Sequence, residues 1–126
     1  MDNQAIQAGG LTFYPEYRNF GGDRGPSIRV FGDVDGNPKQ ILRFDCFEND
    51  PHYHYDPTGM NAFHRIDRAV SPDTVAFALV MIRDNIAAMT KAAGYAELAN
   101  SIDAKAVGEC IGELRSALEK AAAEAS

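Results

Sequence analysis

All six prolines of the chain (Pro15, Pro26, Pro38, Pro51, Pro57, Pro72) fall at or before position 72, and ten of the twelve aromatic residues fall at or before Phe63. Proline removes a backbone donor and fixes φ, so a segment punctuated this often cannot hold long helices. It breaks instead into short strands and turns, and its aromatic residues suit a pleated, half-buried surface. After Ala69 the chain turns to alanine and other strong helix formers. A strand-rich stretch followed by a helical one predicts an α+β fold rather than an alternating α/β one. The 126 residues suffice for one domain of ordinary size. We expect a flexible N-terminal tail over 1–10 and a single α+β domain over 11–126, strand-rich over 11–68 and helical over 71–124. The formal charge of −6 is divided evenly, −3 before Ala69 and −3 from it onward, so it describes a solvated surface rather than an acidic tail.

Within the first part, Leu11–Tyr14 is β-prone, with Pro15 confining it to an edge or a bulge. Gly21–Pro26 reads as a loop. Ser27–Val34 reads as a strand with Ile28, Val30 and Gly32 on one face. Asp35-Gly36 supplies the positive φ values that a tight hairpin needs. Gln40–Phe47 returns, with Leu42, Phe44 and Cys46 on one face and Ile41, Arg43, Asp45 and Phe47 on the other. His52–Tyr55 is a fourth strand, and Asn61–Asp67 a candidate fifth. The expectation is an N-terminal antiparallel meander of three to five strands packed against a C-terminal helical hairpin. In that hairpin Ser71 caps a helix whose apolar stripe is Val75, Leu79, Ile82, Ile86, Met89 and Ala93, ended by Gly94. Val107, Ile111, Leu114 and Leu118 form the stripe of the last helix.

Reactive side chains concentrate in Asp45–Asp56, and all three histidines lie within residues 52–64. On a strand, His52 and His54 share a face at roughly 6.6 Å of rise, close enough for two imidazoles to meet on one ion. His64 on a neighbouring strand is the candidate third nitrogen. Asp45, Glu48, Asp50 and Asp56 are the candidate carboxylates, Asp50 and Asp56 foremost. Such a set suits a divalent zinc, iron or manganese ion with an open position. The competing reading makes His-Tyr-His-Tyr a half-exposed strand with Tyr53 and Tyr55 packed inward. Cys46 is either a nucleophile next to Asp45 or a small buried hydrophobe on the Leu42/Phe44 face. Cys110 reads as core. His64 and Arg65, with Arg68 and Arg43, are arranged to meet an anion or to pair with nearby carboxylates. A nuclease built on such a His/Arg pair is a minor option.

No apolar run approaches the roughly 20 residues that span a bilayer, and the chain begins without a basic, apolar leader, so neither a membrane nor a secretory route is expected. Two cysteines are too few for a disulfide framework, and a reducing cytoplasm is the expected compartment. The acidic balance without a basic stripe argues against nucleic-acid binding.

The run Leu42-Arg43-Phe44-Asp45-Cys46-Phe47, followed by Asp50-Pro51-His52-Tyr53-His54-Tyr55 and by Gly94-Tyr95 after the long helix, resembles an uncharacterised group of short bacterial proteins across residues 27–103. The resemblance implies a small standalone domain of unknown function and transfers no catalytic residue. A fainter similarity to the toxin side of toxin–antitoxin pairs rests on the Gly-turned hairpin and Pro51-His52. The leading functional expectation is an accessory subunit or self-associating interaction module, with Tyr53, Tyr55, Arg65 and Arg68 as its binding surface. The alternatives are a metal-binding protein or metal-dependent enzyme at His52, His54 and His64, and a toxin–antitoxin component.

Overall fold

The structure, a computed structural model, describes residues 5–125. Six strands form one antiparallel sheet in sequence order: β1 (Ile6–Ala8), β2 (Leu11–Phe20), β3 (Asp23–Val34), β4 (Asn37–Asp45), β5 (His52–Tyr55) and β6 (Ala62–Arg65). Four helices follow: α1 (Thr74–Ala92), α2 (Ala96–Ser101), α3 (Ala104–Glu109) and α4 (Ile111–Ala125). The helices lie on one face of the sheet, with α1 against β4 and β5 and α4 against β2 and β3. The α+β reading holds. The sheet has one strand more than the upper expectation, and the helical layer is a four-helix arrangement rather than a simple hairpin.

The differences have local causes. The chain before Leu11 is not all tail: Ile6–Ala8 pairs with Phe13–Leu11, and Ile6 is buried in the core. Residues 1–4 of the expected tail lie outside the described residues. Pro15 does not end β2: it is paired with Ile28 of β3, and among the described residues the pairing with β1 ends at Phe13, before Pro15, where the missing N–H costs no ladder bond on that side. The Gly21–Pro26 loop shrinks to the two glycines, since Asp23–Pro26 pairs with Phe20–Tyr17. Asp35 and Gly36 both take positive φ, 54° and 84°, and close the β3–β4 hairpin as expected.

A β-bulge in β4 shifts the register: Val30 faces Leu42, but Phe31 faces Gln40. Ile41 is the extra residue, and it joins Leu42 in the core instead of sharing the outer face with Arg43 and Asp45. The core then consists of Phe13, Ile28, Val30, Leu42 and Phe44 from the sheet and Leu79, Ile82, Ile86, Val107 and Leu114 from the helices. Removing such side chains from water contributes roughly 1.5–3 kcal/mol each.

Helix α1 begins two residues later than Ser71 suggested. Asp73 is the cap, and its carboxylate accepts from the Ala76 N–H at 3.0 Å. Its stripe is buried as expected at Leu79, Ile82, Ile86 and Met89, and Gly94 takes φ 106° after the last turn. The last helical stretch, capped by Asp103, breaks at Cys110.

Candidate metal centre

Strict alternation places Asp45, His52 and His54 together. In β4 and β5, Leu42, Phe44, Tyr53 and Tyr55 point toward the helices, so Arg43, Asp45, His52 and His54 emerge on the face that the helices leave open. Asp45 is paired directly with His52, and Arg43 with His54. On the other side of β4, Ser27 is opposite Asp45. Gly25 lets this end of the sheet close: a Cβ there would sit 2.3 Å from the Cys46 carbonyl oxygen and 2.9 Å from the Phe47 Cα. Through that gap the Cys46 N–H donates to Pro26 O at 2.8 Å, and the Glu48 N–H to Arg24 O at 2.8 Å, which holds the chain just after Asp45.

Asp45 is only 1% exposed although it lies on the open face, because polar side chains cover it. Its Oδ1 accepts from the Ser27 hydroxyl at 2.8 Å and from Arg18 Nη1 at 3.2 Å. Its Oδ2 accepts from Arg43 Nε at 2.9 Å. The Nε2 atoms of His52 and His54 approach this same Oδ2, at 3.3 and 3.4 Å. Burial pushes the carboxyl group up, but the neighbouring imidazoles, the Arg43 charge and the Ser27 hydroxyl outweigh it and hold Asp45 well below the usual carboxylate range. The hydrogen bond to Asp45 raises His52, against an opposing effect of burial.

The far nitrogens are also fixed. His52 Nδ1 donates to the Asp50 carbonyl oxygen at 2.7 Å, and His54 Nδ1 donates to Asn61 Oδ1 at 2.8 Å. Asn61 is delivered by a loop that Asp56 organises: the Asp56 carboxylate accepts from the Met60 N–H at 2.7 Å and from the Tyr95 hydroxyl at 2.6 Å. With both Nδ1 protons engaged by oxygen, both Nε2 atoms turn inward. Oxygen acceptors on the outer nitrogens are the usual support of metal-bound imidazoles. Phe47 and Phe63 pack edge-on against His52, at ring-centroid distances of 5.7 and 5.9 Å.

The sequence-predicted site is thus partly assembled and partly dispersed. His52 and His54 converge. His64 does not join them: it is paired with Tyr53 and rests against Tyr53 and Tyr55, at centroid distances of 5.5 and 5.4 Å, on the opposite face. Asp45 stands in its place, and one potential ligand atom from each of Asp45, His52 and His54 lies within 4.8 Å of the others. Asp50 contributes its backbone carbonyl, while its carboxylate accepts from Arg65 Nε at 3.0 Å. Asp56 acts through its loop. Tyr53 and Tyr55 pack on the helix side, Tyr53 stacked on Phe44 with its centroid 5.6 Å away. Arg68 Nη2 donates to Phe47 O at 2.7 Å and ties down the segment after β4. Of the four residues expected to form a binding surface, Arg65 is on the open face, paired with Asp50 and stacked over Phe63 at 5.6 Å. Cys46 is a buried hydrophobe: desolvation pushes its thiol up to about 12, and Sγ donates to Thr74 O at 3.4 Å. Arg18, Ser27 and Asn61 had no local signal in the sequence. They enter through strand register and one loop.

A family model described as a domain of unknown function (DUF7700) matches residues 5–118. The chain belongs to the DUF7700 family. The match runs past the 27–103 resemblance at both ends, so it takes in the short strand β1 and the first half of α4, and the expected membership of an uncharacterised family holds. No curated protein and no solved structure matches the chain. Among the described residues of this DUF7700 chain, no helix is long and apolar enough to cross a membrane.

Proposed function

We propose that the protein binds a divalent first-row metal ion through Asp45 Oδ2, His52 Nε2 and His54 Nε2. The convergence of both Nε2 atoms on one carboxylate oxygen, with both Nδ1 atoms held from behind, carries this reading. Ligands at about 2.0–2.1 Å in a tetrahedron lie about 3.3 Å apart. The two His–Asp separations of 3.3 and 3.4 Å match that edge. Zinc is the metal to test first, because it takes imidazole nitrogen and carboxylate oxygen together in four-coordinate sites. Three protein ligands leave a fourth position for a small molecule. Arg18 and Ser27 on Oδ1 orient the carboxylate with Oδ2 inward.

Calorimetric titration with zinc tests the reading. One equivalent binds the native chain, His52→Ala and His54→Ala each lose roughly tenfold or more in affinity, and His64→Ala binds as the native chain does. Binding lost with His64 but kept without His54 would refute it.

A second reading, contact with a protein partner through the open face, is supported by the exposure of Phe20 (64%) and Phe63 (48%), each stacked with an arginine of that face. A second copy of the chain is the partner to test first. Light scattering of native protein and Phe63→Ser would show a dimer that the substitution dissolves; a native monomer would exclude self-association.

A further inference from the structure

Arg43 engages two of the three atoms proposed to hold the ion. Its Nε donates to Asp45 Oδ2 at 2.9 Å and its Nη2 to His54 Nε2 at 3.0 Å. These are two of the three lone pairs assigned above to the metal, and each must leave the guanidinium to ligate an ion. Metal entry therefore turns Arg43 out. The strand pairing determines what it meets. Arg29 is directly opposite Arg43, and like charges in that position repel. Arg29 already donates to Glu16 at 2.6 Å and lies over the Tyr14 ring at 5.0 Å. A released Arg43 thus stands beside another guanidinium, next to a dication with an open fourth position, with Arg18 on the far carboxylate oxygen. Asp45 and Glu16 offset two of the positive charges of that group, and the remainder calls for an anion.

We infer that Arg43 makes metal and oxyanion binding mutually dependent. Without an anion it competes with the ion for Asp45 and His54. With a small carboxylate or sulfate-like oxyanion on the fourth position, it releases those two atoms and clamps the anion through its paired donors, a geometry suited to planar and tetrahedral oxyanions. The inference rests on the metal reading above. Because coupling between two ligands is reciprocal, either can be titrated to detect it.

The experiment is a zinc titration of the native chain in chloride-free buffer, repeated with millimolar-range acetate and with sulfate, alongside Arg43→Met and Arg43→Gln, each checked for native folding by circular dichroism. Either anion is expected to raise the zinc affinity of the native chain by roughly tenfold; the stronger of the two identifies the oxyanion class. Arg43→Met is expected to bind zinc roughly tenfold more tightly than the native chain without anion, and to lose most of the anion effect. Zinc binding that is independent of both anions and unchanged or weakened in both variants would overturn the role of Arg43 while leaving the zinc site standing. Failure of the native chain and both variants to bind zinc under every condition would overturn the site itself.

Discussion

The two faces of the β4–β5 ladder are made from alternate residues of the same eight positions, yet they do opposite things. Toward the helices, Leu42, Phe44, Tyr53 and Tyr55 fill space, and their stability comes from contact area. Toward the open side, Arg43, Asp45, His52 and His54 are interlocked by directional bonds, Arg43 bridging the Asp45 carboxylate and His54. His64 shows how complete the separation is. It is the third histidine of a short segment, but its register opposite Tyr53 assigns it to the packing face. The packing face tolerates any side chain of similar shape. The open face depends on which atom carries a lone pair and which a proton.

Substitutions on each face should separate these properties. Phe44→Ala removes a fully buried ring from the packing face and should cost about 4 kcal/mol while leaving zinc affinity unchanged in the folded fraction; denaturant unfolding with and without zinc measures both. Asp45→Asn strands two arginines around a neutral amide. It should cost about 3 kcal/mol and abolish zinc binding. Since the Asp45 carboxyl group is held below its unfolded value, its contribution is present above pH ~3.9 and is lost as pH falls below that. The acid limb of the stability curve should therefore flatten in Asp45→Asn.

Cys46 tests the packing face by pH. Its buried thiol is pushed up to about 12, so the unfolded chain ionises first and stability falls as pH rises above roughly 8.5, by up to about 1.4 kcal/mol per pH unit. Cys46→Ala should lose that alkaline slope, and native Cys46 should resist alkylation near neutral pH until the protein unfolds. His54→Ala frees Arg43 and Asn61, which both reach solvent, while Asp45 keeps its bonds to Ser27, Arg18 and Arg43; it should cost only about 1 kcal/mol, yet it should remove most of the zinc affinity. His64→Ala, at an exposed edge-strand position, should fall within about 0.5 kcal/mol with zinc affinity unaltered.

How much of this was legible in the sequence depends on the range of each determinant. The proline and aromatic split, the Asp35-Gly36 hairpin and the stripe through Leu79, Ile82 and Ile86 are local patterns, and the structure follows them. The pairing of His52 with His54 on one face followed from strand periodicity alone. The third member of the cluster, Asp45 and not His64, did not, because it depends on the register of β4 and β6 against β5, and a shift of one residue exchanges the faces. The bulge at Ile41 is of the same kind: it reassigns a residue from one face to the other without any turn residue to announce it. Arg18 and Ser27 lie 27 and 18 residues from Asp45 along the chain. Only the closed β2–β3–β4 ladder brings them to its carboxylate.

Cobalt(II) substitution tests the central claim most directly, because the visible spectrum of the ion reports both its coordination number and its ligands. At one equivalent, the native chain should develop the intense visible absorption of four-coordinate cobalt. The band should vanish in His54→Ala and persist in His64→Ala. A pale, six-coordinate spectrum indistinguishable from cobalt in buffer, or an intense band that survives in His54→Ala, would contradict a metal centre at Asp45, His52 and His54.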